Sequence, residues 1–84
     1  MLTVASFVLM PVIAVVAGVR IYMYFKDHNP PHFHGKYSGE KESFDLKGNT
    51  LKGNIGNKKR KKVRKWAQSN EKFLKEQWDK HNPK

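Results

Sequence analysis

Val19-Arg20-Ile21-Tyr22-Met23-Tyr24-Phe25-Lys26 is the stretch whose reading decides the fold. β-branched and aromatic residues fill it, and successive side chains of a strand point to opposite faces. One face carries Val19, Ile21, Met23 and Phe25; the other carries Arg20, Tyr22, Tyr24 and Lys26. Asp27-His28-Asn29-Pro30-Pro31 follows, a turn whose prolines exclude helix. His32-Phe33-His34-Gly35-Lys36-Tyr37 then alternates again, with Phe33 and Tyr37 on one face and His32, His34 and Lys36 on the other. A turn over Asp27 to Pro31 pairs Lys26 with His32, Tyr24 with His34 and Tyr22 with Lys36, and sets Phe33 beside Phe25 and Tyr37 beside Ile21. A one-residue slip would aim His32 and His34 at the core, so burial selects this register. Arg20, Tyr22, Tyr24, Lys26, His32, His34 and Lys36 therefore share one face of one hairpin.

Outward from this hairpin the pattern continues. Ser38-Gly39 is a turn, and Lys41 to Lys47 alternates with Phe44 and Leu46 inward. Gly48-Asn49, Gly53-Asn54 and Gly56-Asn57 punctuate a loop around the apolar stretch Leu51 to Ile55, and Asn57 is positioned to cap a helix. From Lys58 the period becomes helical, with Val63, Trp66, Ala67, Asn70, Phe73, Leu74, Gln77 and Trp78 on one stripe. Ser69-Asn70 breaks or bends that stripe, and Asn82-Pro83 ends it. The expected fold is α+β: a small antiparallel sheet of three or four strands, with two C-terminal helices packed on one face.

Residues Met1 to Val19 carry no charge, which is long enough for a membrane span. No basic segment precedes the run, Pro11 and Gly18 interrupt it, and Val12 to Val16 suits a buried strand equally well. The balance favours a cytoplasmic protein. Met10-Pro11 is a candidate second start, which makes Met1 to Leu9 an extension and residues 10–84 one α+β domain.

The 84 residues contain no cysteine, so neither disulfides nor thiolate zinc sites stabilise the fold. Seventeen Lys and Arg oppose seven Asp and Glu, for a net charge of +10. The excess is uneven: two basic residues and one acid precede Lys36, and fifteen and six follow from it. Such a field attracts phosphate backbones or acidic proteins. Lys58-Lys59-Arg60-Lys61-Lys62-Val63-Arg64-Lys65 crowds seven cations into eight residues at a helix start, where they repel one another and oppose the helix dipole. An anionic partner relieves both penalties. Nucleic acid is the expected partner, contacted by Lys58, Lys59, Arg60, Lys61, Lys62, Arg64 and Lys65, and by Tyr22, Lys26 and Lys36 on the hairpin. Tyrosines interleaved with cations suit single-strand stacking, which favours RNA over DNA.

The three histidines His28, His32 and His34 admit other chemistry. His32 and His34 could run metal-independent RNA cleavage, one taking the 2′-hydroxyl proton and the other protonating the leaving group. Arg20 would stabilise the phosphorane charge, with Tyr24 alongside. A metal-ligand reading uses His28, His32 and His34, with Asp27 able to add a ligand; otherwise no cofactor is expected. An adaptor gripping an acidic protein is a further alternative. There is no nucleotide-binding glycine loop, nucleophile elbow or paired-carboxylate motif.

Met10-Pro11, Gly18-Val19-Arg20-Ile21-Tyr22-Met23-Tyr24 and Asp27-His28-Asn29-Pro30-Pro31-His32-Phe33-His34 together resemble a family of very small bacterial proteins defined as a domain of unknown function. The likeness runs from Met10 to about Trp78 and includes Gly48, Gly53 and both tryptophans. The Lys-rich stretch departs from it, since family members are more mixed in charge there. Such proteins often accompany a second small gene in pairs that look like toxin–antitoxin modules. The resemblance thus implies a small protein partner and a role in a toxin–antitoxin or phage-related system.

Overall fold

The computed structural model describes residues 11–83. The expected extension Met1 to Leu9 lies outside the described residues. The chain is α+β: β1 (Val12–Val16), β2 (Val19–Tyr22), β3 (His32–Tyr37), β4 (Glu40–Asp45) and β5 (Thr50–Gly53) precede α1 (Asn57–Ser69) and α2 (Glu71–His81). The strands form one antiparallel sheet in chain order.

Two tight turns organise the meander. Ala17-Gly18 joins β1 to β2, and Ser38-Gly39 joins β3 to β4, each with both residues at positive φ. That geometry matches the twist of the flanking strands. The sheet has five strands rather than three or four, because Val12–Val16 is a strand and Thr50–Gly53 is a strand where a loop was expected. Four exposed residues make up β5, so it offers no burial pattern to read. It pairs with β4 through an irregular register between Ser43 and Phe44. Gly53 (φ 89°) permits this approach, since a Cβ there would meet the Lys41 carbonyl oxygen at 2.3 Å.

The hairpin keeps its expected faces but not its pairing. Tyr22 lies opposite His34, Ile21 opposite Gly35 and Arg20 opposite Lys36. The pairing is displaced by two residues from the expected one, which preserves side-chain parity. The cause is the end of β2 at Tyr22. Beyond it Lys26 adopts φ 55°, and its amide donates to the His81 carbonyl at the end of α2. Phe25, expected inward beside Phe33, is instead 53% exposed and stacks on His81 with ring centroids 4.6 Å apart.

Val19, Ile21, Phe33 and Phe44 from the sheet, with Met23 just beyond β2, join Val63, Ala67, Leu74 and Trp78 of the helices and Ile55 in one core. These helical residues come from the expected stripe, which breaks at Asn70. The Asn70 amide donates to Ala67 O and its side-chain Nδ2 to Trp66 O, closing α1, while Asn70 O accepts from Leu74 as α2 begins. Gly56, not Asn57, occupies the N-cap of α1. One charge sits among these apolar groups. Glu42 shares the inward parity of Phe44, and its side chain is fully buried.

Among the described residues, no helix is long and apolar enough to cross a membrane.

Candidate functional site

The chain that leaves β2 turns back against the end of α2, and this contact builds a cluster. The Asp27 amide donates to Asn82 Oδ1 at 2.6 Å, and the His28 amide donates to Asp27 Oδ1 at 2.8 Å. The carboxylate is thereby aimed at β3. Its Oδ2 lies 2.9 Å from His32 Nε2 and 3.6 Å from His34 Nε2. His32 is buried, with its ring 5.3 Å from that of Trp78.

Hydrogen-bond inventory constrains His32. Its Nδ1 is 2.7 Å from Pro30 O, an acceptor, so Nδ1 must carry the proton. Its Nε2 faces a carboxylate oxygen, also an acceptor. Two acceptors at this distance need a proton or a metal ion between them. His34 is different. Its Nε2 is shut off from solvent and has no hydrogen-bond partner among the described residues. Burial and the neighbouring His32 push the His34 pKa down, against the opposing pull of Asp27. Burial alone would raise Asp27, but the His28 amide and the surrounding imidazoles outweigh it and hold the carboxyl below its usual range.

Aromatic contacts complete the wall. Tyr22 stacks on His34 at 5.2 Å and 17°, and Tyr24 meets the same ring edge-on at 4.9 Å. Tyr22 is 2% exposed, so its ring frames the histidine and has no free face for a base. Burial, with a lesser effect of Tyr24, pushes its pKa up to about 12. His28 lies outside the convergence: it is 81% exposed at the side chain, stacked on His32, with Nε2 3.7 Å from Asp27 Oδ1. Arg20 and Lys36 line a separate recess with Tyr37 at the other end of the strands, and Lys26 lines a third with Trp78 and Asn82. The structure does not gather Arg20 with the histidines.

The cation run on α1 divides into two groups. Arg60 donates through Nε to Glu42 Oε2 (2.6 Å) and through Nη2 to Glu42 Oε1 (3.0 Å), and reaches Asn54 and Asn57 as well. Thr50 Oγ1 and the Ile55 amide also donate to this carboxylate. Burial would raise the Glu42 pKa, yet these donors together hold it below its ordinary value. Arg64 Nε donates to Gly48 O, where α1 and the β4–β5 turn touch. Lys59 Nζ donates to Ala17 O and sits 4.6 Å above the Tyr37 ring. Three of the seven cations thus serve the fold. Lys58, Lys61, Lys62 and Lys65 are exposed and form no salt bridge among the described residues. Their spacing of i, i+3, i+4 and i+7 places all four on one side of α1.

Several of these partners escaped sequence reasoning. Glu42 was signalled by its parity with Phe44. Asp27 N to Asn82 Oδ1 spans 55 positions, and no local pattern announces it.

Among known families, residues 18–79 match the one described as Domain of unknown function (DUF4160). The match covers most of the chain, and the protein belongs to this family. Neither a curated protein nor a solved structure matches it.

Proposed function

We propose that the protein binds the phosphate backbone of a nucleic acid along the exposed face of α1. The observation that carries this reading is the stripe Lys58, Lys61, Lys62 and Lys65, four cations with no salt-bridge partner among the described residues, on a helix whose other three cations are occupied. At ~1.5 Å rise per residue the stripe extends about 10 Å between its terminal Cα atoms, and the flexible lysine stems widen the reach of the ammonium groups beyond that. No acid occupies the first turn of α1 to offset this charge. Like charges at these spacings destabilise a helix, and a polyanion removes that cost. Such contacts position a backbone without reading its sequence. RNA is favoured, because Tyr24 is only half-buried beside His34 and leaves part of a ring for stacking. A cytoplasmic role within a toxin–antitoxin or phage-related pair is the biological setting that the family resemblance suggests. Cleavage by His32 and His34 is less well supported. Both Nε2 atoms converge on one carboxylate, whereas a general base and a general acid must flank the scissile phosphate.

The test is fluorescence anisotropy with a labelled single-stranded RNA, titrated at 50 and 200 mM salt. Four lysine–phosphate contacts on a single strand give a log–log salt slope of about −3, or roughly a 50-fold loss of affinity across that range. Replacing the four lysines by Gln should flatten the slope and remove most of the binding at low salt. An unchanged slope in that variant would overturn the assignment to α1 and move the RNA contact to another surface, whereas no RNA binding by the unaltered protein would overturn the reading and point to an acidic protein instead.

A further inference from the structure

We infer that Asp27, His32 and His34 form a binding site for one divalent transition-metal ion of the zinc class. Their ligand atoms lie within 4.8 Å of one another. Donors about 2.0–2.1 Å from a common ion stand about 2.9 Å apart at a right angle and about 3.4 Å apart at a tetrahedral angle. The 2.9 and 3.6 Å from Asp27 Oδ2 to the two imidazole nitrogens bracket those separations.

Two further observations point the same way. His34 Nε2 is sealed from solvent and lacks a hydrogen-bond partner, a costly state for a ring nitrogen that a metal bond removes. His32 carries the outer support that metal-bound histidines use: Nδ1–H to a backbone carbonyl fixes the tautomer and presents the Nε2 lone pair to the ion. The other contacts that hold the ligands arise from different elements. Asn82 at the end of α2 anchors the Asp27 backbone, Trp78 backs His32, and Tyr22 stacks behind His34.

The donor chemistry selects the ion. Two imidazoles and one carboxylate suit zinc, cobalt, nickel or iron(II), whereas magnesium and calcium prefer oxygen donors. Three protein ligands leave at least one coordination position for an exogenous oxygen donor, the pattern of reactive rather than purely structural sites. His34 also lines a cavity of about 350 Å³ bordered by Tyr22, Tyr24, Lys41, Glu42, Ser43 and Lys52.

Equilibrium dialysis of the full chain against Zn²⁺, with Co²⁺ absorption as a spectroscopic readout, tests the site. One ion per chain is expected, with affinity at least tenfold weaker in Asp27→Asn and His34→Ala and little changed in His28→Ala. Far-UV circular dichroism establishes that each variant remains folded. Nitrogen-15 spectra of the unaltered protein give an answer that needs no variant: Zn²⁺ should move Nε2 of both His32 and His34. Failure to bind one ion, binding unaffected by both substitutions, or a shift confined to His28 or His81, would overturn the assignment.

Discussion

Replacing Arg60 by Met should unfold much of this protein's stability margin, although Arg60 lies within a run of cations where substitutions look harmless. The Glu42 side chain is fully buried, and Arg60 supplies two of its donors. Thr50 Oγ1 and the Ile55 amide remain after the substitution, but neither carries a positive charge. Removing one partner of a buried ion pair costs about 3–5 kcal/mol, because the other charge stays buried without compensation. The Arg60 side chain retains 18% exposure, so solvent screening argues for the lower end, ~3 kcal/mol. A domain of this size has only about 4–12 kcal/mol in total. The same loss lowers the thermal midpoint by roughly 12–24 °C.

Urea denaturation with an unchanged m-value measures it, with Lys61→Met on the exposed stripe as the reference. Lys61→Met should stay within about 0.5 kcal/mol of the unaltered protein. The double variant Glu42→Gln/Arg60→Met isolates the cause. Gln keeps an acceptor for the Ile55 amide while removing the buried charge, so the pair should be more stable than Arg60→Met alone by ~2 kcal/mol. If Arg60→Met cost no more than Lys61→Met, the division of α1 cations into structural and available groups would be wrong. The basis of the proposed nucleic-acid face would fall with it.

Other outcomes follow from the same geometry. The folded-state pKa of Glu42 is depressed, as is that of Asp45, where bonds from Asn49 and Lys47 outweigh the raising effect of burial. Their contribution is complete above the ordinary carboxylate range and is lost as pH falls through the depressed folded values, so urea midpoints should decline from about pH 4.5 downward. The decline should be shallower in Glu42→Gln. Gly53→Ala should destabilise by ~2 kcal/mol or more, because its Cβ would collide with the Lys41 carbonyl and its φ of 89° disfavours any side chain; a thermal melt equal to the unaltered protein's would contradict the observed β4–β5 approach. Asn82→Ala removes the bond that anchors the Asp27 amide and should cost about 1 kcal/mol, while hydrogen exchange at Asp27 accelerates.

Local pattern carried the sheet further than it carried the site. Alternation through Val19–Met23 and His32–Tyr37 was sufficient for the faces, because a register error of two residues leaves every side chain on its own side. The helical stripe and its break at Asn70 were legible for the same reason: periodicity is a property of neighbours in sequence. Exposed β5 had no such signature. Phe25 departs from its alternation, which points it inward, because the docking of Lys26 and Asp27 on the end of α2 turns the chain first.

The site follows from that docking. Three histidines close in sequence suggested chemistry, but which ones converge depends on where the carboxylate of Asp27 is held, and residues at the far end of the chain decide it. His81 and Asn82 fix the turn, so Asp27 faces His32 and His34 while His28 is left in solvent. The cations obey the same logic in reverse. Seven looked equivalent because charge density is a local quantity, yet Glu42, Gly48 and Ala17 occupy three of them from distant parts of the sheet. What remains is a stripe on α1 and, apart from it, an enclosed cluster of nitrogen and oxygen donors. The four lysines and the three ligands share no residue, so loss of RNA affinity in the lysine variant with zinc binding intact is the pattern their separation requires.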